Sequence, residues 1–281
     1  MRLLAQYDSV LRGNFPTEAT RGGWFKLLNW NLNYGLKLEA IAKAMRRENA
    51  DIVLLQEVDV NARRTMQRNV AEELARSLSL NYVFGIEFEE LAQGSTSSPA
   101  YHGQAILSRF PIRLARILRF THQSKKWEPR RYLPRWQVFQ PRQGGRMALV
   151  ANIEVGATTV VFYDVHLESQ DSDSLRLEQI DEVLADASQY PADACLVLAG
   201  DFNIDLREST LFQKLTRAGF RSVVTIGTLS TKPGGAAKDG VFVRGPIQFD
   251  GGKVHQDISG SDHFPVTSYL AVNSNEKQEK R

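Results

Sequence analysis

The sequence predicts an α/β protein, two sheets packed face to face with helices outside, and three observations carry that expectation. The first part of the chain alternates short apolar runs with helical patterns. The middle strings apolar runs together with only turns between them, which implies hairpins and antiparallel pairing. With 281 residues, 42% hydrophobic and 24% charged, the chain is long and apolar enough to bury one large core.

Residues 24–32 read as a strand, and Leu38, Ile41, Ala42 and Met45 then recur at i, i+3, i+4 and i+7, one face of a helix. Residues 51–56 form the next strand, Val70, Leu74 and Leu78 mark a second helix, and 81–88 give a third strand. Runs at 105–108, 112–120, 136–139, 146–155 and 158–166 make the hairpins. A helix through Leu177, Ile180, Val183, Leu184 and Ala187 precedes a strand around Cys195. Residues 211–218 are a further helix, and short strands around Phe242, Ile247 and Val266 finish the fold. Residues 89–103 and 232–237, rich in small residues, read as mobile loops. One domain is expected over 24–272, with a fraying extension before it (1–23, in whole or part belonging to the domain) and a polar tail at 273–281.

No apolar stretch approaches the roughly 20 residues needed to span a bilayer, and the first eight residues break off too soon for a signal peptide. A cytoplasmic monomer is the default expectation, with contact at a membrane surface left open. The only cysteine, Cys195, lies inside an apolar run, so it makes no internal disulfide and reads as a buried, inert thiol.

Net charge is only +3, but residues 109–146 hold eleven Lys or Arg against one acid, Glu128. Phe120, Trp127, Tyr132, Trp136 and Phe139 are interleaved with these cations. Two readings stand side by side: a surface that grips phosphates and stacks a base or covers an acyl chain, or a solvated strand face with its aromatics packed inward.

The chemistry sits where apolar runs stop on polar groups. Glu57 follows a buried strand, Asn31 and Asn33 close the strand before it, and Asp201, Asn203 and Asp262 end later ones. Any one of these is more readily a cap or turn residue; gathered at the ends of four separate strands they point to a site. Oxygen donors of this kind suit Mg2+ or Mn2+ better than zinc. His166 and His263 would add hydrogen-bond donors and a proton relay, the needs of phosphate ester cleavage, although a lone histidine is more often structural. By spacing alone Asp239 is an Asp-Gly turn, with a hydrogen bond to His263 as the rival reading.

The ordered set Trp30-Asn31-Leu32-Asn33, Leu54-Leu55-Gln56-Glu57, Gly103-Gln104-Ala105-Ile106-Leu107-Ser108-Arg109, His166-Leu167, Gly200-Asp201-Phe202-Asn203, Asp239-Gly240-Val241-Phe242 and Ser261-Asp262-His263 resembles the endonuclease/exonuclease/phosphatase superfamily of metal-dependent phosphoesterases. The resemblance covers roughly residues 25–270. It implies a four-layer α/β/β/α sandwich of two mixed sheets with outer helices, the site at one edge. It further implies Glu57 as the principal Mg2+ ligand, with Asn31 and Asp262 close to the metal. Asp201 would orient or deprotonate the attacking water, and Asn203 would hold that water or a phosphate oxygen. His263, paired with Asp239, and His166 would contact the scissile phosphate from two sides; on this resemblance Asp239 becomes the histidine partner rather than only a turn.

Where abasic-site repair nucleases often carry a tyrosine, this chain has His166, which leans toward branches of secreted nucleases, sphingomyelinases and tyrosyl-DNA phosphodiesterases. His166-Leu167-Glu168-Ser169 with Arg176 and Gln179 resembles the last of these, while the arginine that branch tends to carry after its Asp is missing beside Asp239. A nuclease or DNA-end phosphodiesterase is therefore the favoured expectation, on the basic stretch, with nucleic acid as the partner. A phosphodiesterase or phosphatase for a lipid head group or small phosphorylated molecule is the alternative. A binding module that has lost catalysis is the third.

Overall fold

The structure, a computed structural model, describes residues 7–15, 23–124, 126, 141–207, 209–224 and 230–272. In chain order its elements are β1 (Val10–Gly13), β2 (Trp24–Tyr34), α1 (Leu38–Glu48), β3 (Ile52–Val60), α2 (Val70–Leu78), β4 (Asn81–Glu89), β5 (Tyr101–Ser108), β6 (Ile112–Arg119), β7 (Gln143–Gly144), β8 (Met147–Val155), β9 (Thr158–His166), α3 (Asp173–Ala187), β10 (Cys195–Asp201), α4 (Thr210–Arg217), β11 (Arg221–Ser222), β12 (Asp239–Arg244), β13 (Ile247–Val254) and β14 (Val266–Val272). A 3-10 turn, Arg63–Thr65, follows β3.

Helix ends follow local chemistry. The Asn69 side chain accepts the Glu72 N–H at the start of α2, and Ser209 accepts that of Phe212 at the start of α4. Asn49 stops α1 in a left-handed conformation, its N–H returning to Met45.

One sheet runs β1-β4-β5-β3-β2-β14-β13, with β7 beside β4; the other runs β11-β12-β10-β9-β8-β6. Both are mixed: β2 pairs with β3, and β9 with β10, in parallel, while their other neighbours are antiparallel. Apolar side chains of the facing sheets, such as Leu27, Leu54, Phe162 and Val197, share one cluster between them. The opposite face of the first sheet buries α1 and α2 through Ile41, Met45, Val70 and Leu74. That of the second buries α3 and α4 through Ile180, Val183, Leu211 and Leu215. The result is the expected four layers.

Side chains alternate faces along a strand, so the positions pointing between the sheets can be read two by two. On β3 they are Ile52, Leu54 and then Gln56; on β9, Val160, Phe162, Asp164 and His166; on β10, Val197, Ala199 and Asp201. The inter-sheet layer thus changes from apolar to polar as it nears one end, and the polar end is the site.

Several sequence readings are revised. The second strand does not stop at Gln56: β3 runs on to Val60 with an irregularity between Leu55 and Val58, so Glu57 lies within it. The loop expected over 89–103 shrinks to the stretch between β4 and β5. Residues 10–13, expected to fray, pair antiparallel with β4. The loop at 232–237 is bound into a hydrogen-bonded turn, described below. The strand expected at 136–139 lies outside the described residues. Cys195 is buried, and burial raises its thiol pKa, consistent with an inert group. Among the described residues no helix is long and apolar enough to cross a membrane.

Candidate active site

At the polar end the backbone departs from regular strand geometry several times. Asn33, Tyr34, Glu57 and Asn203 all have φ between 47° and 67°, and Gly200 has φ of 149°. Left-handed non-glycine residues are unfavourable and tend to gather where function re-aims a side chain. The β3 irregularity acts in this way on Glu57, whose carboxylate meets Asn31 from the neighbouring strand.

Asp201 is the centre of the arrangement. Its Oδ1 accepts the Asn203 N–H at 2.8 Å. Its Oδ2 accepts from Asn31 Nδ2 at 3.1 Å and lies 3.6 Å from His263 Nε2 and 3.9 Å from His166 Nε2. Asn31 also donates to Glu57 Oε1 at 3.1 Å, and His166 Nε2 stands 3.8 Å from that oxygen. Burial would raise the Asp201 pKa, but His263, His166 and the hydrogen bonds from Asn203 and Asn31 hold it below the usual carboxylate range. Residues from four strands and the turn before β14 therefore meet in one place.

The two imidazoles are held differently. His263 Nδ1 binds Asp239 Oδ2 at 2.8 Å, leaving Nε2 toward Asp201. Burial and the nearby Lys232 ammonium lower the His263 pKa, yet Asp239 and Asp201 outweigh them and push it up to about 9. His166 Nδ1 lies 2.9 Å from Arg146 Nη1. A guanidinium only donates, so Nδ1 is the acceptor and the ring proton belongs on Nε2. That Nε2 is buried with no hydrogen-bond partner among the described residues and faces Asp201 and Glu57. Arg146 itself binds Glu87 Oε1 at 2.7 Å and Ser169 Oγ at 2.9 Å. Burial raises the Glu87 pKa, but Arg146 and His166 hold it well below the usual carboxylate range.

Asn31 departs from a direct-ligand role: it turns its amide hydrogens onto Glu57 and Asp201, and its oxygen takes the Asn33 N–H at 3.0 Å. It bridges the two carboxylates. Asp262 is half exposed, with Oδ2 on Lys232 Nζ at 2.7 Å. Asp201, Asp239 and His263 also place one ligand atom each within 4.8 Å of one another. In that set the Asp239–His263 contact is a hydrogen bond that already occupies one oxygen of Asp239 and one ring nitrogen of His263. Glu57, 22% exposed at the side chain and facing the cleft, is the better-placed hard donor.

The cleft over these groups encloses about 600 Å3, a volume usual for small-molecule sites. Tyr34, Arg64, Gln93, Pro141 and Arg142 form its far wall. Arg64 stacks on Tyr34 with 3.8 Å between guanidinium carbon and ring centre, and forks onto buried Asp59 at 2.6 and 2.8 Å.

Glu87, Arg146 and Lys232 were not among the site residues expected from sequence. Glu87 had a signal: an acid at an inward-facing position of an apolar strand. Arg146 was counted in the basic stretch, but the described cations of that stretch are spent within the chain. Arg109 pairs with Asp51, Arg113 with Glu154, Arg116 with Asp186, Arg119 with Asp8, Arg142 with Glu90 and Arg146 with Glu87, while the exposed Lys126 ammonium donates, among the described residues, only to the Gln170 carbonyl. Phe120 is core, whereas Trp127, Tyr132, Trp136 and Phe139 lie outside the described residues. Of the two readings of this stretch, its described part favours the strand face whose cations are satisfied within the chain.

Comparison with known proteins agrees with the geometry. No curated protein matches the sequence significantly. Among solved structures, an endonuclease/exonuclease/phosphatase protein from Beutenbergia cavernae superposes with a TM-score of 0.66 at 18% identity, over 90% of this chain and 72% of that one. A humanized D. rerio TDP2 gives 0.59 at 18% identity, over 89% and 99%. The Bacteroides thetaiotaomicron mannosyl-6-phosphatase Bt3783 gives 0.62 at 16% identity, over 88% and 99%. At such identities the likeness is one of fold. The Endonuclease/Exonuclease/phosphatase family itself matches residues 28–263, most of the sequence, and this chain belongs to that family.

Proposed function

We propose that the protein is a Mg2+-dependent phosphoester hydrolase in which Asp201 activates water for in-line attack on phosphorus. The observation that supports this above all is the convergence on Asp201 Oδ2 of two imidazole Nε2 atoms and the Glu57–Asn31 pair within one cleft. An ionised Asp201 orients the water and takes its proton. Nε2–H of His166, its tautomer set by Arg146, and Nε2–H of His263, charged by Asp239, donate to the phosphoryl oxygens as negative charge builds on them. Asn203 holds the water or an oxygen beside Asp201. Glu57, supported by Asn31 with Asp262 nearby, supplies hard oxygen donors for Mg2+ or Mn2+, whose charge would offset that of the phosphoryl and departing oxygens.

For substrate, the walled cleft favours a terminal phosphoester, at a nucleic-acid strand end or on a small phosphorylated molecule, over broad contact with duplex DNA. The pairing of the described cations within the chain supports the same reading.

The test is hydrolysis with Mg2+, Mn2+ or EDTA of bis-p-nitrophenyl phosphate, 5′-blocked oligonucleotides, plasmid DNA, sugar phosphates and phosphoinositides. Activity that EDTA abolishes and that falls about 10²- to 10³-fold in Asp201→Asn and His263→Ala is expected, since a donor of this kind is typically worth about 2.7 to 4 kcal/mol. Wild-type turnover by either variant would refute the assignment, and rapid internal cutting of plasmid with no action on ends would overturn the substrate reading.

A further inference from the structure

Lys232 stands inside the cleft, and no role for it follows from the motifs described above. Its Nζ lies 3.2 Å from His263 Nε2 and 2.7 Å from Asp262 Oδ2. The surrounding turn holds it there. Thr231, 2% exposed, accepts the N–H groups of Lys238 and Asp239 on its Oγ1 at 2.9 and 3.1 Å, and its carbonyl accepts the Phe264 N–H at 2.8 Å. Its own N–H reaches the Ala236 carbonyl at 3.0 Å, and Gly235 N–H reaches the Lys232 carbonyl at 3.2 Å. Gly234 and Gly235 make the tip with φ near 100°. The residue before Lys232 is therefore bonded to Asp239 and to Phe264, the latter next to His263. The lysine's placement relative to the Asp239–His263 pair is built into the fold.

We propose that Lys232 is a second phosphoryl-binding prong of this site, its ammonium and His263 Nε2 converging on one nonbridging oxygen of the substrate phosphate. An ammonium has three N–H groups, and Asp262 takes one. Another faces the cleft wall formed by His263, Asp201 and Asn203, where the reacting group must sit. A fixed charge there binds phosphate in the ground state and gains further as charge spreads over the equatorial oxygens. This rests on the phosphoester hydrolase reading for its catalytic consequence, but phosphate binding can be measured without turnover.

The experiment follows the His263 ring resonances by NMR during titration with inorganic phosphate, with and without Mg2+, in wild type, Lys232→Met and Lys232→Arg. Thr231 and Asp239 amide resonances monitor the turn. In wild type phosphate shifts the His263 signals. In Lys232→Met, with the turn signals in place, affinity falls about ten- to a hundredfold, the range expected for a lost hydrogen bond from a charged donor. Lys232→Arg retains more of it, and kcat/KM follows the same order. Phosphate affinity in Lys232→Met within about twofold of wild type overturns the proposal, as does an equal loss in both variants or no response of His263 in wild type. If phosphate binds through Lys232 but no phosphoester is hydrolysed, the hydrolase reading fails and this one stands. If hydrolysis proceeds and Lys232→Met is indifferent in both measurements, the reverse holds.

Discussion

At Asp201 and His263 the site concentrates charge that a folded protein normally avoids burying, and both side chains are almost inaccessible. What stabilises the arrangement is mutual: Asp239 and Asp201 raise the His263 pKa to about 9, although burial opposes them. Unfolded, the ring would titrate near 6.5. The folded protein thus keeps a proton that the unfolded chain releases, so the stabilisation is complete below about pH 6.5 and is lost as pH rises through about 9. Its ceiling is on the order of 3 kcal/mol. In chelated protein, Asp239→Asn is expected to lower stability at pH 6 and to flatten its fall between pH 6.5 and 9, measured by urea unfolding across that window. An unchanged slope in the variant would show that the proton is held by something other than Asp239.

Strand β10 ends as Gly200-Asp201 and shows how an element delivers the proposed catalytic group. It lies parallel to β9 and antiparallel to β12, with Asp201 level with His166 on one side and Asp239 on the other. Gly200 makes this closeness possible: a Cβ there would come within 1.9 Å of the Val165 carbonyl oxygen, at a φ of 149°. Gly200→Ala should therefore cost about 2 kcal/mol or more, seen as a fall in melting temperature of roughly 4–8 °C, and should displace Asp201. A variant that melts with wild type would show that β9 has room to move. Elements of this kind were legible because their apolar periodicity is strong: α1, α2 and β9 lie where spacing put them. The re-aiming of Glu57 was not legible, because the polar pair Gln56-Glu57 reads as the end of the strand rather than as an irregularity within a strand that continues to Val60. Pairings across long sequence separations were equally hidden. Arg146 with Glu87 and His166, and Lys232 with His263, are set by sheet register and by the turn at Thr231, whereas Asp201, His166 and His263 announced themselves by interrupting apolar runs.

Across the molecule, the inter-sheet layer that supplies the core also supplies the floor of the site. Between the two lies a buried polar tier in which Gln56 donates to Asn29 Oδ1 at 2.9 Å and to Asp164 Oδ1 at 2.6 Å, joining one sheet to the other. Asp164 is wholly buried and its Oδ2 has no hydrogen-bond partner among the described residues. Burial, reinforced by nearby Glu87, raises its pKa well above the usual range despite the Gln56 hydrogen bond. For an acid shifted upward, the folded state binds the extra proton. Its contribution to stability is full below the unfolded value near 3.9 and declines as pH rises toward the folded value, beyond which the fold buries a bare charge. Asparagine keeps the shape and the acceptor for Gln56 but does not ionise. The melting temperature of Asp164→Asn, relative to wild type, should therefore be higher at pH 8 than at pH 4, with turnover kept because Asp164 lies beneath the cleft rather than in it. Two melting curves that run parallel across that range would show that Asp164 does not titrate on folding, and the polar tier would then be a neutral hydrogen-bonded seam between the sheets.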